Sequence, residues 1–251
     1  MFLNFKKMSC LLFLLGLNSS IAFSAGHHHN KKEKPNPING YGLVQLGGYW
    51  GHQGQAQHIN IEGLIGDEFT VTDHTGENYL VGLGYMVNAY HNPNFDLAYG
   101  LNAYYLAKTS VHGSVIQEDL FENLSYHYDV DHIPIYIMAR AAINTKNPNY
   151  GIIIDAGVGP NILTARHFRE ESLDNQTIPD HIYSRDTITQ FSATAGINIK
   201  FNRSFFTLPV ECGYRFFYLG KGNFNSLSDQ VFDSLSTGDS YANALMCGLE
   251  I

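Results

Sequence analysis

Six charged side chains could build an ion-pair network, because they fall on the small, polar face of an alternating pattern: Arg140, Asp155, Lys200, Glu211, Arg215 and Glu250. An enclosed charge is costly unless an opposite charge pairs with it, so three bases and three acids on one face predict mutual pairing. The turn 144–149 centres near residue 147, which places Arg140 opposite Asp155 if the flanking segments are antiparallel strands. We predict a buried Arg140–Asp155 ion pair, extended by Glu211 and Arg215, with a structural role rather than one in gating.

Residues that could support catalysis lie near the start of the segment 127–143, namely Ser125, His127, Asp129 and His132. Their spacing indicates no nucleophile with a base and an orienting group, which covalent catalysis requires. The sequence has no phosphate-binding glycine loop and no spaced metal quartet, and His27–His29 are typical of a solvated tail. We therefore predict no catalytic, cofactor-binding or metal-binding residues, and no enzyme.

The six charges must be positioned by strands, and the strand pattern is clearest in the segment 187–220, which predicts a β-hairpin. Before its turn, apolar side chains share one parity: Phe191, Ala193, Ala195, Ile197, Ile199 and Phe201. After the turn the pattern repeats, with Val210, Cys212, Tyr214, Phe216 and Tyr218 on one face. Side chains alternate faces along a β-strand, so each arm is a strand with one apolar face. Each arm exceeds the ~9–11 residues that a tilted strand needs to cross a bilayer.

The same alternation recurs in eight segments: 41–51, 77–90, 95–107, 127–143, 150–165, 187–201, 207–220 and 240–251. Short turns follow the second, fourth and sixth segments, and long loops (52–76, 108–126, 166–186 and 221–239) follow the others. This wiring predicts an all-β fold, an eight-stranded antiparallel transmembrane up-and-down β-barrel with short periplasmic turns and four long external loops. Two aromatic girdles are expected, with Tyr41, Tyr90, Phe95, Tyr150 and Phe205 below and Trp50, Tyr79, Tyr105, Phe191 and Tyr218 above.

The direction of the apolar face separates a membrane barrel from a soluble calycin-like barrel, which would turn that face inward around a ligand. Charges among small residues on the second face suit a narrow lumen filled by side chains, so we predict that the apolar face meets lipid. Three prolines do not fit the hydrogen-bond ladders of a closed barrel, because a proline has no backbone N–H to donate. We therefore expect Pro134, Pro160 and Pro209 at bulges or strand ends.

The N-terminus predicts export. Lys6 and Lys7 precede the apolar run 11–17, and small residues follow at Ala22, Ser24 and Ala25, which is typical of a cleaved secretory signal peptide at 1–24. Residues 25–39 are predicted to form a flexible periplasmic leader, and 40–251 the barrel. Charged residues make up only 15% of the chain, against about 25% in ordinary soluble domains. The net charge of −8 makes nucleic acid a poor partner.

Two cysteines follow the predicted signal peptide, Cys212 and Cys247. If the last long loop centres near Gln230, these two residues face each other on adjacent strands. Directly opposed strand residues lie about 4.5–5.5 Å apart at Cβ, whereas a disulfide needs about 3.8 Å. The expectation is therefore neighbouring thiols or a strained disulfide, and of the two this spacing favours thiols.

Four stretches resemble the small outer-membrane β-barrel proteins of Gram-negative bacteria, the OmpA-like and OmpW-like transmembrane barrels: GYGLVQLGGYWG, ENYLVGLGYMVNAY, VDHIPIYIMARAAIN and NYGIIIDAGVGPNI. The resemblance spans 40–251 and depends on glycine and aromatic placement, with Ile251 where such chains usually end in Phe. It implies the cell outer membrane, contact with lipid and lipopolysaccharide, and insertion by the barrel-assembly machinery. It also implies a surface or structural role.

The role within that family is left open by the residues. The loops carry fifteen acids against five bases, and a host or surface partner bound through them is the first expectation. The alternative is a narrow channel for small hydrophobic solutes, and a lipid A-modifying enzyme comes third. An ordered, aromatic-bearing loop platform would favour binding, whereas a lateral opening or a lined tunnel would favour a channel.

Overall fold

Eight long antiparallel strands form the fold of the computed structural model, which describes residues 39–179, 182–202 and 208–251. They are β1 (Gly40–His52), β2 (Thr75–His91), β3 (Phe95–Gln117), β4 (Phe121–Asn144), β5 (Tyr150–Ser172), β6 (Asp186–Phe201), β7 (Val210–Asn223) and β8 (Ser236–Glu250). Each strand pairs with the next along the chain, and β1 also pairs with β8, which closes the barrel. The predicted eight-stranded up-and-down barrel is confirmed. No helix among the described residues is long and apolar enough to cross a membrane.

The connections differ at the two ends of the barrel. Residues 92–94, 145–149 and 202–209 link strands at one end, which we call the turn end. Residues 53–74, 118–120, 173–185 and 224–235 link strands at the other, the loop end. The first of these carries two short strands, Gln57–Ile59 and Asp67–Phe69, and two more, Tyr183–Ser184 and Asn225–Ser226, pair the third connection with the fourth.

The predicted long loop at 108–126 is wrong, because these residues continue the β3–β4 ladder as far as Gln117 opposite Phe121. A bulge between Leu106 and Thr109 adds one residue to β3. A single added residue inverts which side chains face inward, so Val111 turns into the interior where the earlier parity would send it outward. The inversion hid the continuing strand in the sequence. The start of the predicted loop 166–186 likewise belongs to β5.

The outer surface of the barrel carries the predicted apolar face. Large exposed hydrophobic side chains cover the middle of the strands: Leu46, Leu83, Tyr85, Tyr99, Leu101, Ile137, Ile154, Val158, Ile197, Ile199 and Leu245. Trp50, Tyr79 and Phe191 lie exposed towards the loop end, and Tyr90, Phe95 and Tyr150 towards the turn end. Tyr41 was misplaced in the predicted girdle, because its parity turns it into the lumen, where it packs on the interior cluster. Phe205 lies outside the described residues.

The interior holds two hydrophobic clusters. The first lies in the barrel itself and includes Leu80, Met86, Tyr104, Tyr136 and Phe217. The second lies at the loop end, inside the part of the wall that we call the wall extension: residues 109–117 of β3, 121–130 of β4 and 165–172 of β5. Here the aromatic rings meet edge-on or stacked, and they belong to Phe69, Tyr126, Tyr128, Phe168, Tyr183 and Phe224. Edge-to-face pairs of this kind add stability beyond their buried area. The extension is therefore a packed structure rather than a set of separate loops.

The prolines only partly follow the expectation. Pro209 immediately precedes β7, as predicted. Pro134 and Pro160 instead lie within β4 and β5, paired with Asn161 and Phe191, and no register shift lies at either residue. The described β4–β5 pairing is interrupted between Pro134 and Ile137, opposite the Gly159–Pro160 step. Each proline thus lies beside a gap in a ladder: Pro160 at this gap between β4 and β5, and Pro134 also at a gap between β3 and β4, where the pairing is interrupted from Ile135 to His132.

Cys212 and Cys247 face each other on β7 and β8, as the predicted register required. The preference for free thiols was wrong, because the two residues form a disulfide. Their Cα atoms are 4.1 Å apart. Antiparallel strands come closest at non-hydrogen-bonded pairs, about 4.5 Å between Cα atoms, and this approach lets the sulfurs bond. The bond ties the last strand to its neighbour on the outer face.

We expect the mature chain, denatured without a reductant, to show no thiol that reacts with a maleimide. The same sample should show reactive thiols after reduction, because Cys212 and Cys247 are then both free; Cys10 belongs to the predicted signal peptide. Mass spectrometry of the labelled chain measures the outcome. Modification of Cys212 or Cys247 before reduction would show that the disulfide does not form.

Candidate functional site

Four of the six predicted charges meet in the lumen near the turn end. The Arg140 guanidinium on β4 pairs with the Glu211 carboxylate on β7 and lies 3.5 Å from an Oε1 of Glu250 on β8. Lys200 on β6 binds the second oxygen of Glu250. Since β4 and β7 are not neighbours in the barrel, the Arg140–Glu211 pair crosses the lumen and links distant parts of the wall.

The other two charged residues, Arg215 and Asp155, pair with each other. Arg215 Nη2 on β7 donates to Asp155 Oδ1 on β5 at 2.6 Å, and both side chains are buried. The strand between them, β6, places Gly196 directly opposite each residue. A Cβ at Gly196 would lie 2.8 Å from Asp155 Oδ1 and 3.1 Å from Arg215 Cζ. The missing side chain of Gly196 therefore leaves the space in which this ion pair forms.

The predicted pairing of Arg140 with Asp155 is wrong, although the register behind it is right. The two residues lie directly opposite each other on β4 and β5. Asp155 nevertheless binds Arg215 across Gly196, and Arg140 reaches the two carboxylates of Glu211 and Glu250 instead. Register fixes which residues are neighbours along the wall. In a narrow lumen, side chains also reach across, and the best-satisfied set of pairs forms.

Neutral side chains complete the network, and the sequence analysis did not identify them. Gln45 Nε2 donates to Glu211 Oε1 at 3.4 Å, and Asn102 donates to Gln45 Oε1 at 3.3 Å. Asn198 donates to Asp155 Oδ2 at 3.4 Å. The available signal was their parity, since each lies on the inward face of its strand among glycines and apolar residues. A polar side chain at such a position must find a partner.

The network and the aromatic side chains beside it fill the lumen. The rings of Tyr104 and Phe217 are 5.3 Å apart, and the Arg215 guanidinium lies 5.5 Å from the centre of the Tyr104 ring. Arg215, Tyr136 and Leu80 have no solvent-exposed surface at all. These side chains and the aromatic rings beside them therefore fill the middle of the lumen.

The candidate catalytic residues are not brought together. His132 is buried and contacts Asn161, while His127 stacks on His112 with ring centres 5.8 Å apart. The Ser125 hydroxyl donates to the Glu171 carbonyl oxygen. Among the described residues, no group of three or more His, Cys, Asp or Glu side chains is arranged to hold a metal ion.

Asp129 instead binds three groups on the outer face of the wall extension. Lys108 Nζ, Ser110 Oγ and His167 Nδ1 lie 2.8, 2.6 and 2.9 Å from its oxygens. Burial raises the pKa of the Asp129 carboxyl, but these hydrogen bonds outweigh the burial and hold the pKa well below its usual range. The carboxyl is therefore ionised wherever the protein is folded at neutral pH, and it holds the side chains around it in fixed positions.

The connections at the loop end are tied to one another. Ile61 bridges to Val231, and the Phe232 amide donates to the Asn60 carbonyl at 3.0 Å, which joins the first connection to the fourth. The Ile65 amide donates to a Glu118 carboxylate oxygen at 3.1 Å, which joins the first to the second. Such cross-links make an ordered platform, the feature that was expected to favour partner binding over a channel.

A cleft of about 370 Å³ opens in this platform. Apolar side chains from the first, third and fourth connections and from the start of β4 line it, namely Ile61, Leu64, Phe121, Leu124, Ile182 and Val231. Three acids, Asp67, Glu118 and Glu170, lie in the same lining. Leu64 is 59% exposed and Phe121 62% exposed. Exposed apolar groups grouped beside acids provide a surface that can bind another molecule.

Similarity to known proteins is found among solved structures only, and it is distant. No protein-family model matches the chain, and no curated protein matches it. Among solved structures, it is similar to Neisserial surface protein A at 8% identity (TM-score 0.43), covering 84% of this chain and 96% of that one. Similar coverage, 85% and 97%, joins it to the outer membrane protein OprG of Pseudomonas aeruginosa at 10% identity and a TM-score of 0.49.

A third similar structure is the outer membrane protease OmpT of Escherichia coli, at 13% identity and a TM-score of 0.47, covering 86% of this chain and 96% of that one. The class that the fold defines is the small outer-membrane type of β-barrel, as the sequence resemblance implied. At these identities the likeness concerns the fold alone and transfers no activity. A surface protein, an outer membrane protein and a protease share it.

The ion pairs give a quantitative prediction. Arg215→Ala should lower the free energy of unfolding by about 3–5 kcal/mol, because it leaves Asp155 buried without its partner. The Arg215→Ala/Asp155→Ala double variant should fall short of the sum by about 1–3 kcal/mol. The Arg140→Ala/Asp155→Ala cycle should give a smaller coupling, since these two side chains do not pair. Urea unfolding from phospholipid vesicles, followed by the fluorescence of the sole tryptophan, Trp50, measures all three.

The same cycles identify the outcome that contradicts this assignment. A coupling between Arg140 and Asp155 as large as that between Arg215 and Asp155 would restore the pairing predicted from the register alone. Additivity in the Arg215–Asp155 cycle would show that the observed pair does not form.

Proposed function

We propose that the protein is an outer-membrane barrel with a closed interior that acts at the cell surface by binding a partner in the loop-end cleft. In this proposal residues 1–24 direct export and are removed, 25–39 form a periplasmic leader, and the loop end faces outward. The observation that carries the proposal is the cross-linked platform with its apolar and acidic cleft. The role is binding rather than catalysis.

Location in a membrane is supported by the outer surface. A continuous belt of exposed Leu, Ile, Val, Tyr and Phe side chains surrounds the barrel, with aromatic residues towards both ends. Soluble proteins rarely expose apolar patches larger than a few hundred Å², and a belt of this kind requires lipid to cover it. Six charged side chains of the same strands turn into the lumen, where each pairs with another of the six.

The filled lumen argues against the channel alternative. A narrow channel for hydrophobic solutes requires a lined path through the barrel, but Arg215, Tyr136 and Leu80 are wholly buried. Moving a solute past them would require breaking ion pairs that have no water to replace them. A lipid A-modifying enzyme is less supported still, because Ser125, His127 and His132 contact Glu171, His112 and Asn161 rather than one another. Binding at the platform needs neither a path nor a catalytic group.

The chemistry of the cleft indicates the kind of partner. Its apolar lining suits a hydrophobic side chain, and the acids around it suit a positive charge next to that side chain. The wider loop surface carries fifteen acids and five bases, so a cationic partner is attracted from a distance as well. A basic, amphipathic segment of a protein or peptide fits both features.

Binding of peptide probes to the barrel in lipid nanodiscs tests the proposal. A peptide of alternating Leu and Lys should bind with saturation, whereas its Leu–Glu counterpart should not, because the cleft and its surroundings are acidic. A Leu64→Ser/Phe121→Ser variant should weaken binding of the Lys peptide at least about tenfold, since apolar contacts in a cleft carry most binding energy. Isothermal titration calorimetry measures these affinities.

Ile178→Ser is the matched control, because Ile178 is an exposed apolar residue at the loop end that does not line the cleft. The control should bind like the unmodified protein. Equal binding of the Lys and Glu peptides, or equal losses in the cleft variant and the control, would contradict the proposal.

A further inference from the structure

Two histidines lie side by side on the outer face of the wall extension. His112 on β3 and His127 on β4 are directly opposed in the register of the two strands. Their rings stack, with centroids 5.8 Å apart. His112 is exposed and His127 is half-buried, so solvent reaches both rings. We call these two side chains the cross-strand histidine pair.

The ring nitrogens of this pair have no protein partner. Across residues 39–179, 182–202 and 208–251, no hydrogen bond or ion pair uses a ring nitrogen of His112 or His127. By contrast, a ring nitrogen contacts another group of the chain in His58, His91, His132 and His167. A neutral imidazole has one ring nitrogen with a free lone pair, which can bind a metal ion. The pair therefore offers two uncommitted metal ligands beside each other.

The spacing of the two rings suits a single metal ion. Zinc binds imidazole nitrogens at about 2.0–2.1 Å in tetrahedral geometry, which places the centres of two bound rings roughly 5 Å apart. The observed separation of 5.8 Å is close to this value. Directly opposed strand residues hold their Cβ atoms about 4.5–5.5 Å apart, so rotation of the side chains closes the difference without a backbone movement.

One charge of each sign flanks the pair. Asp73 bridges to His112 on the side away from β4. Arg169 on β5 lies directly opposite His127. Further along the same face of β4, the Asp129 carboxylate is already paired with the bases that bind it. The surroundings therefore add no net positive charge that would exclude a cation, and the preference of the imidazoles decides what binds.

A second histidine pair, His52 and His74, has a different geometry. The residue opposed to His52 in the strand register is Thr75 rather than His74. The two rings meet at an interplanar angle of 77°, with centroids 4.3 Å apart. Such an edge-to-face contact directs the edge of one ring at the face of the other rather than at a shared third atom. This second pair therefore provides a matched control.

We propose that the cross-strand histidine pair binds a divalent metal ion of the first transition row, with Zn²⁺ and Cu²⁺ as the ions that imidazole prefers. Each histidine supplies one ring nitrogen, and water or a donor atom of another molecule fills the remaining positions. Two protein ligands make the ion exchangeable rather than structural, which agrees with the lack of a three-ligand cluster among the described residues. The site is separate from the loop-end cleft, whose lining contains neither histidine.

Protection of individual histidines from diethylpyrocarbonate tests the site, with the mature barrel in phosphatidylcholine nanodiscs. Peptide mass spectrometry measures the modification rate of each histidine with and without Zn²⁺. Saturating Zn²⁺ should slow modification of His112 and His127 at least about fivefold over one concentration range, because a metal-bound nitrogen does not react. Mg²⁺ at about tenfold higher concentration should protect neither residue, since it prefers oxygen ligands.

Single substitutions test whether the two residues act together. His112→Gln should remove most of the protection of His127, and His127→Gln that of His112, because one imidazole alone lacks the effective concentration of a second ligand. The His52→Gln/His74→Gln control removes two histidines that touch elsewhere and should leave the protection of both residues unchanged. All variants should keep the shift in gel mobility on boiling, since the substituted side chains lie outside the two interior clusters.

Three outcomes would overturn the proposal. They are modification rates that Zn²⁺ does not change, equal protection by Mg²⁺, and protection of one histidine that survives substitution of the other. The readout is specific to each residue, so zinc held by His27–His29 of the predicted leader does not affect it. None of these outcomes depends on peptide binding in the cleft, and the two proposals therefore fail independently.

Discussion

Pairing of charges in a lumen filled by side chains is the constraint on which the rest of the structure depends. Eight strands enclose an interior just wide enough for side chains, so every charge placed there must find its partner within the wall. Three bases and three acids achieve this by reaching across the barrel rather than to the residue directly opposite. Gly196 and Gly248 leave the room that these contacts need, since an added Cβ would lie within 3.3 Å of Asp155 or Glu211.

A filled interior places function on the outer surfaces. The belt meets lipid, the wall extension at the loop end carries its own hydrophobic cluster, and the connections above it are cross-linked around the cleft. Bulges separate these levels, because each one inverts the parity of a strand and so changes which residues face outward. Lys108 and His167 take their positions in this way, immediately beyond the belt.

Alternation in the sequence was sufficient for the fold, the register of two strand pairs (β4 with β5 and β7 with β8) and the inward face of the six charges. It failed where a bulge inverted the parity, as at Lys108–Tyr126, and at the two prolines within β4 and β5, which lie beside gaps in the ladders. The alternation also did not predict which charges pair, because Arg140 and Asp155 lie opposite each other in register, yet Arg140 pairs with Glu211 and Asp155 with Arg215. Distances across the lumen and between the two sulfurs depend on the closed geometry of the barrel, which no local pattern encodes. The cleft could not be predicted for the same reason, because residues that are distant in the sequence line it together.

Single-channel recording in planar lipid bilayers tests the closed interior most directly. The purified barrel, inserted at low protein concentration, should add no stepwise conductance at moderate voltages, because the ion-paired plug and the aromatic side chains leave no path for ions. Insertion would be confirmed by the protease resistance of the barrel in the same lipid. Discrete, reproducible conductance steps from the unmodified protein would contradict the account and would favour a channel.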